Sequence, residues 1–419
     1  MTPGTWREGS TAEPPRGRRE ETTDAAGPGV EQVRRSDRRL VAACAIATLA
    51  AGAGRYLPLG AVLPFLLSAV ALALLAQLVS RAVDALGDRL GPGAIGVVQS
   101  ALGNLPELFV CLFALHAGLD DVARAAVVGS ILANVLLVLG LALLVGGLRH
   151  GRQYFASQRA RSITLLLMLS VTAMAIPSLT ATLHTPAAGH ERGLSVVTSL
   201  LLLVLFALSV PASVRDEDAG TGPVGRQPDL SPENGEDGPA GDHGPDRACG
   251  KRSGRPQTAD GPQRQQPAWP LRTAVIALAA AGVVAAVVSD WFVRALEPAM
   301  SALHLSQTFA GLVVVAIAGN AVENVVGIQL AGRNRADHAL SVILQSPVQI
   351  ALVLAPALVL IAPLVGATFT LVLPPLLIVA LFLAALIAVL VVVDGESTWL
   401  EGATLVVVYV LVAAAFWWG

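Results

Sequence analysis

Apolar runs long enough to cross a bilayer govern what this chain can fold into. They fall at roughly 40–55, 57–80, 93–117, 122–148, 160–182 and 193–213, and resume at roughly 271–293, 305–332, 337–366, 369–393 and 399–418. About 20 apolar residues span the hydrocarbon core, so an all-α integral membrane protein of about eleven transmembrane helices is expected. The first run is short and shares only a brief turn with the second. Of the 419 residues, 54% are hydrophobic and 14% charged, and a soluble domain of that length needs more charge to cover its surface.

The charges that exist collect in the first 39 residues, in 215–270 and in short gaps between apolar runs. Residues 1–38 are rich in Gly, Pro, Thr, Glu and Arg without apolar periodicity and read as a disordered tail. Nothing there resembles a cleavable signal peptide, so 40–55 is expected to serve as an uncleaved leading helix. The segment 214–270 carries almost no large apolar residues and reads as a disordered linker. It separates two five-helix blocks, 57–213 and 271–419. Cys44, Cys111 and Cys249 form no CxxC pair, so neither a disulfide framework nor a zinc site is indicated.

Arginine placement sets the orientation. Arg34, Arg35, Arg38 and Arg39 end the tail, Arg149, Arg152, Arg159 and Arg161 follow the fourth run, and Arg333 and Arg335 follow the eighth. With eleven helices all of them, and the linker, share the cytoplasmic side. The opposite loops hold only scattered arginines such as Arg55, Arg192 and Arg294.

The two blocks carry one motif twice. GNLPELFVCLFALHAGLDDVARAAVVGSILAN runs from Gly103 to Asn134, and GNAVENVVGIQLAGRNRADHALSVILQSPVQI from Gly319 to Ile350. At a constant offset of 216 residues Asn104 meets Asn320, Glu107 meets Glu323, Asp121 meets Asp337 and Ser130 meets Ser346, with no gap. Five helices reverse the direction of the chain, so blocks on either side of a cytoplasmic linker are inverted repeats. Many secondary transporters are built this way, with the substrate near the midplane where the repeats meet.

Ser100, Asn104, Glu107 and Cys111 recur at helical spacing, as do Ala316, Asn320, Glu323 and Gly327, and each set is expected to share one helix face. A charged side chain at the bilayer centre costs about 2.5–3.5 kcal/mol even on the lenient insertion scale. No Lys or Arg neighbours either glutamate in its run, so the natural partner is a cation or a proton. Burial and mutual repulsion make protonation feasible near neutral pH, and a close pair titrates as a unit. One divalent ion or two protons discharge such a site equally, while the empty site is costly to move. That is a recipe for antiport.

Ca²⁺ takes about six to eight oxygens. Glu107 and Glu323 supply up to four, Asn104 and Asn320 can add amide oxygens, and Ser130, Asn134, Ser346 and Gln349 offer more. Pro106 frees the carbonyl one turn before it, at Leu102, and Pro347 is expected to break its helix in the same manner. Serine and asparagine in membrane helices also simply bond neighbouring helices, which fits Ser100, Ser130 and Asn134 taken alone equally well. His116 and His338 lie at helix ends and read as solvated, and Cys111 as an inert buried thiol.

The stretches GNLPELFVCLFAL, GSILANVLLVLG and GLRHGRQYF resemble the first repeat of the Ca²⁺/H⁺ antiporters of the cation/calcium exchanger superfamily. GLVVVAIAGNAVE and SPVQIALVLAPALVL resemble the second. The likeness runs from about residue 57 to the end. It implies one leading helix plus two inverted five-helix repeats, and calcium efflux driven by the proton gradient across what is expected to be the plasma membrane. It also implies that Glu107 and Glu323 bind calcium or protons, assisted by Asn104, Asn320, Ser130, Asn134, Ser346 and Gln349. No cofactor is implied; the partners are the two ions and the bilayer, with no nucleic acid. The second repeat departs from the pattern at Asn324, where the family usually has His, and at Gln345, Ser346 and Pro347, where it usually has GSS before the glutamine.

Alternatives are the same fold exchanging Na⁺, K⁺ or Mn²⁺ for H⁺ or Na⁺, and a non-transporting membrane protein. A channel is disfavoured by single central acids on inverted repeats. An enzyme is disfavoured by the lack of HExxH, of paired intramembrane aspartates and of a nucleophile with a credible base.

Overall fold

The computed structural model describes residues 28–90, 98–99, 101–155, 157–186, 189–220 and 269–417; within helices, the side chains of 28–35, 88–90, 157–159, 210–220 and 322–323 lie outside the description. The chain folds almost wholly into helices. The first half comprises α1 (Pro28–Tyr56), α2 (Val62–Leu90), α3 (Leu105–His116), α4 (Asp120–His150), α5 (Ser157–Thr182) and α6 (Glu191–Gly220). The second comprises α7 (Leu271–Leu303), α8 (Gln307–Gly319), α9 (Ala321–Gly332), α10 (Ala336–Val365), α11 (Pro375–Val393) and α12 (Trp399–Ala415). Among the described residues seven helices are long and apolar enough to cross a membrane, eight if α8 and α9 form one bent span.

The surface explains why these helices suit lipid. On α11 Leu377, Leu381, Ala384, Ala388 and Val392 are buried, while Val379, Phe382, Leu383, Leu386 and Leu390 on the other face are exposed. Both faces are apolar, whereas a helix at a water-facing surface pairs its apolar stripe with a polar one. Pro374 and Pro375 open α11 where the missing N–H costs nothing.

Helix α4 is the most enclosed of the spans. It packs against α8, α9 and α12 of the other half, and α2 lies along α7. Glycine makes the α4–α8 crossing possible: a Cβ at Gly129 would strike the backbone of Leu312, and one at Gly311 the carbonyl of Val122. Close backbone approach through small residues is how helices associate where no hydrophobic effect drives them together.

A two-stranded ribbon ties the halves at one end. β1 (Gln153–Tyr154) pairs antiparallel with β2 (Glu396–Ser397), with Gln153 opposite Ser397 and Tyr154 opposite Glu396. The exposed pair Arg152–Glu396, at 3.1 Å, adds little on its own. Thr398 and Glu401 form a reciprocal capping box at the start of α12.

Three expectations about elements change. Helix α1 begins at Pro28, inside the stretch read as a disordered tail. Its Asp37 is buried, accepting hydrogen bonds from Arg81 of α2 (2.7 Å) and from the Trp269 indole ahead of α7 (2.7 Å). The run 305–332 divides into α8 and α9, bent by 63°. Pro347, by contrast, does not break α10. The helix runs through it and widens to a π-turn only at Ile350–Leu354. A π-turn occupies the corresponding place in α4, Ala133–Val138, where there is no proline, so Pro347 is not its cause. The remainder of the expected tail and most of the expected linker, 1–27 and 221–268, lie outside the described residues.

Candidate functional site

Two asparagines mark where the helices break. Asn104 (φ −94°, ψ 16°) precedes α3, and Asn320 (φ −102°, ψ 13°) precedes α9. Both sit in the bridge region of the backbone map, which is sparsely populated and frequent at functional sites. Neither side chain caps the helix it precedes, so both amides remain available for other work. The helices that follow start and end 216 residues apart, Leu105–His116 and Ala321–Gly332, and α4 and α10 start at Asp120 and Ala336, also 216 apart. These breaks interrupt the continuous faces expected from the spacing: Asn104 and Asn320 stand at turns, not in mid-helix. Ser100 lies outside the described residues.

Glu107 is in the first turn of α3 and only 6% exposed. Ser130 Oγ of α4 donates to its Oε1 at 2.6 Å, and Asn320 Nδ2 donates to the same oxygen from the other half. Hydrogen bonds to a charged group contribute about 1.5–3 kcal/mol each, of the order needed to hold a carboxylate inside apolar helices. Gly319 lets the halves meet there, for a Cβ at that position would lie 2.7 Å from Glu107 Cγ and 3.0 Å from Oε1.

The polar chain extends away from the carboxylate. Asn320 Nδ2 also reaches Ala316 O at 3.2 Å, and Ser346 Oγ donates to Asn320 Oδ1 at 3.4 Å. Asn134, within the π-turn of α4, donates to Ser130 O at 2.8 Å and to Ser346 Oγ at 3.4 Å. Asn104, Glu107, Ser130, Asn134, Asn320 and Ser346 are all buried. Five of them, Glu107, Ser130, Asn134, Asn320 and Ser346, are joined in one network. Gln349 is buried as well but makes none of these hydrogen bonds. Glu323 lies in the first turn of α9, the position Glu107 holds in α3; its side chain lies outside the described residues.

A cavity of about 20 Å³ opens beside Glu107, lined by Ala76 and Ser80 of α2, Gly103, Asn104, Pro106 and Glu107 at the first break, and Gly319 and Asn320 at the second. One water molecule needs roughly 10–15 Å³ by the same measure, so the space suits one small occupant. Asn104 Nδ2 has no hydrogen-bond partner among the described residues. Among those residues no three His, Cys, Asp or Glu side chains gather as a metal cluster. The repeat did not reveal Ala76 and Ser80, because α2 precedes the motif.

These features define a polytopic, mostly helical membrane protein that keeps a hydrogen-bonded carboxylate where its helices break. The sodium/calcium exchanger protein family model matches residues 60–214 and 273–418, so both blocks are covered. The chain belongs to that family. It is 32% identical over 371 residues to a Ca²⁺/H⁺ antiporter of Synechocystis sp., covering 87% of this chain and 93% of the relative. It is 30% identical over 353 residues to the Ca²⁺/H⁺ antiporter ChaA of Bacillus subtilis, covering 84% and 91%. The solved structure of native YfkE superposes with a TM-score of 0.69 at 27% identity, over 90% of this chain and 99% of that one. The crystal structure of the H⁺/Ca²⁺ exchanger CAX shares the fold with a TM-score of 0.64 at 16% identity, over 91% and 92%.

Proposed function

We propose that this protein is a secondary active transporter exchanging Ca²⁺ for H⁺ by alternating access, with Glu107 and Glu323 binding either load. The observation that carries the reading is Glu107 itself, a buried carboxylate held by Ser130 of its own half and Asn320 of the other. A group shared between halves senses their relative position, as alternating access requires. The Ca²⁺/H⁺ antiporters similar over most of the chain supply the ions.

The architecture proposed for it is a leading helix, α1, and two inverted five-span repeats, giving eleven crossings. The equal spacing of helix boundaries supports this. The arginine pattern supports a cytoplasmic N-terminus and linker, and the plasma membrane is the proposed location. Ca²⁺ between the two glutamates displaces their protons, and the amide and hydroxyl oxygens of Asn104, Asn320, Ser130, Asn134, Ser346 and Gln349 complete its shell. Two protons restore the same site charge, so either loaded form crosses the barrier more readily than the empty one.

The test is Ca²⁺ uptake by the purified protein in liposomes, with and without an imposed pH gradient. Gradient-driven uptake is expected, and Glu107→Gln or Glu323→Gln should each reduce it to the level of empty vesicles. Folded protein that moves no Ca²⁺, or full activity in either glutamine variant, would overturn the reading. Uptake of Mn²⁺ in preference to Ca²⁺ would assign the site to another cation.

A further inference from the structure

The cavity beside Glu107 has a wall that neither repeat motif supplies. Ser80, in the middle of α2, lines it together with Asn104, Glu107 and Asn320. Several hydroxyls on α2 and on other spans bond to their own helix, and Ser80 does not. Ser68 donates to Pro64 O at 2.8 Å, Thr164 to Ala160 O at 3.0 Å, Ser170 to Leu166 O at 2.7 Å, Thr172 to Met168 O at 2.8 Å and Thr404 to Leu400 O at 2.9 Å. Such back-bonding to the preceding turn is common for a hydroxyl in an apolar helix, though the hydroxyls of Thr48, Ser199 and Ser289 are buried without a described partner. Ser80 makes no such bond, nor any other hydrogen bond to a described residue. On the same cavity Asn104, 7% exposed, has an amide whose nitrogen makes no hydrogen bond to a described residue, so the group is free to turn its oxygen to the space. Two polar side chains thus face one space with room for a single small occupant.

We propose that Ser80 is a further cation-binding residue, contributing its hydroxyl oxygen from α2, directly or through one water, to the divalent ion held at Glu107. The inference rests on the exchange reading above and adds a third structural unit to the site. A hydroxyl is a hard, neutral oxygen donor. It suits an ion that takes six to eight oxygens and leaves the charge balance between one Ca²⁺ and two H⁺ unaltered. It also makes occupancy felt by α2, which packs along α7 and α1.

Exchanging the donor atom tests this. In liposomes Ser80→Ala should raise the KM for Ca²⁺ about fivefold, the scale of one lost neutral ligand, with kcat within about twofold of wild type. Ser80→Cys replaces a hard oxygen with a soft sulfur, which favours thiophilic metals. Purified S80C in detergent should bind Cd²⁺ at least about tenfold more tightly than wild type, and adding Glu107→Gln should abolish that gain. Ser68→Cys, on the same helix but bonded to its own turn, should show none. An unchanged KM in S80A with no Cd²⁺ gain in S80C would overturn the role of Ser80, as would an equal gain in S68C. If wild type carries no Ca²⁺, the exchange reading fails by itself. The Cd²⁺ comparison then decides Ser80 alone, and tighter binding lost with E107Q would still place it at the Glu107 site.

Discussion

At the residue scale, Glu107 and Gly319 are one device. The carboxylate reaches Asn320 because the residue beside it has no side chain, and a methyl group there would lie 2.7 Å from Glu107 Cγ. Gly319→Ala should therefore push Glu107 out of its hydrogen bonds with Ser130 and Asn320. Ca²⁺ uptake in liposomes is expected to fall at least about tenfold, the effect of losing about 1.4 kcal/mol at the site. Thermal unfolding should move by only a few degrees, and wild-type uptake in G319A would show that this contact does not position the carboxylate. The motif marked Glu107 and Asn320 as important in the sequence. It could not show that they touch, since a repeat reveals which residues are equivalent and not which ones meet.

At the element scale, the helix breaks fall at asparagine, and not at Pro347, where the sequence predicts a break. Asn104 and Asn320 leave helical geometry, while α10 passes through Pro347. Proline lacks an N–H and clashes one turn back, but helices packed on all sides absorb that cost, and Pro347 is buried. Pro347→Ala should restore a donor to a helix that is already formed. Uptake is expected to stay within about twofold of wild type and the unfolding temperature to hold or rise. A collapse of transport in P347A would show that the proline shapes the ion path after all. Local sequence signals misjudged this place because packing, not propensity, decides whether a membrane helix bends.

At the scale of the whole molecule, the two blocks matched by the exchanger family, 60–214 and 273–418, are separated by a segment rich in charge, glycine and proline. The blocks meet through α4 against α8, α9 and α12, and through the β1–β2 ribbon. These described contacts are made outside the intervening chain, which reads from its composition as a solvated linker. Replacing residues 222–262 with a Gly/Ser segment of similar reach should leave pH-driven Ca²⁺ uptake within about twofold of wild type. Loss of transport from a protein that still purifies as folded would give the segment a role in the cycle.

The length and apolarity of the runs settled that this chain lives in a membrane as helices, because an apolar stretch of spanning length has few other stable fates. The repeated GNxxE motif singled out Glu107 and Glu323 among the carboxylates. Only the tertiary structure decided that Ser130 and Asn320 share Glu107, that Asp37 anchors α1 to α2 and Trp269, and that Ser80 borders the cavity. Hydropathy and spacing act within a turn or a span. The hydrogen bond between Asn320 and Glu107 joins residues 213 positions apart, and it exists because glycines allow two backbones to pack closely enough for an amide of one half to reach a carboxylate of the other.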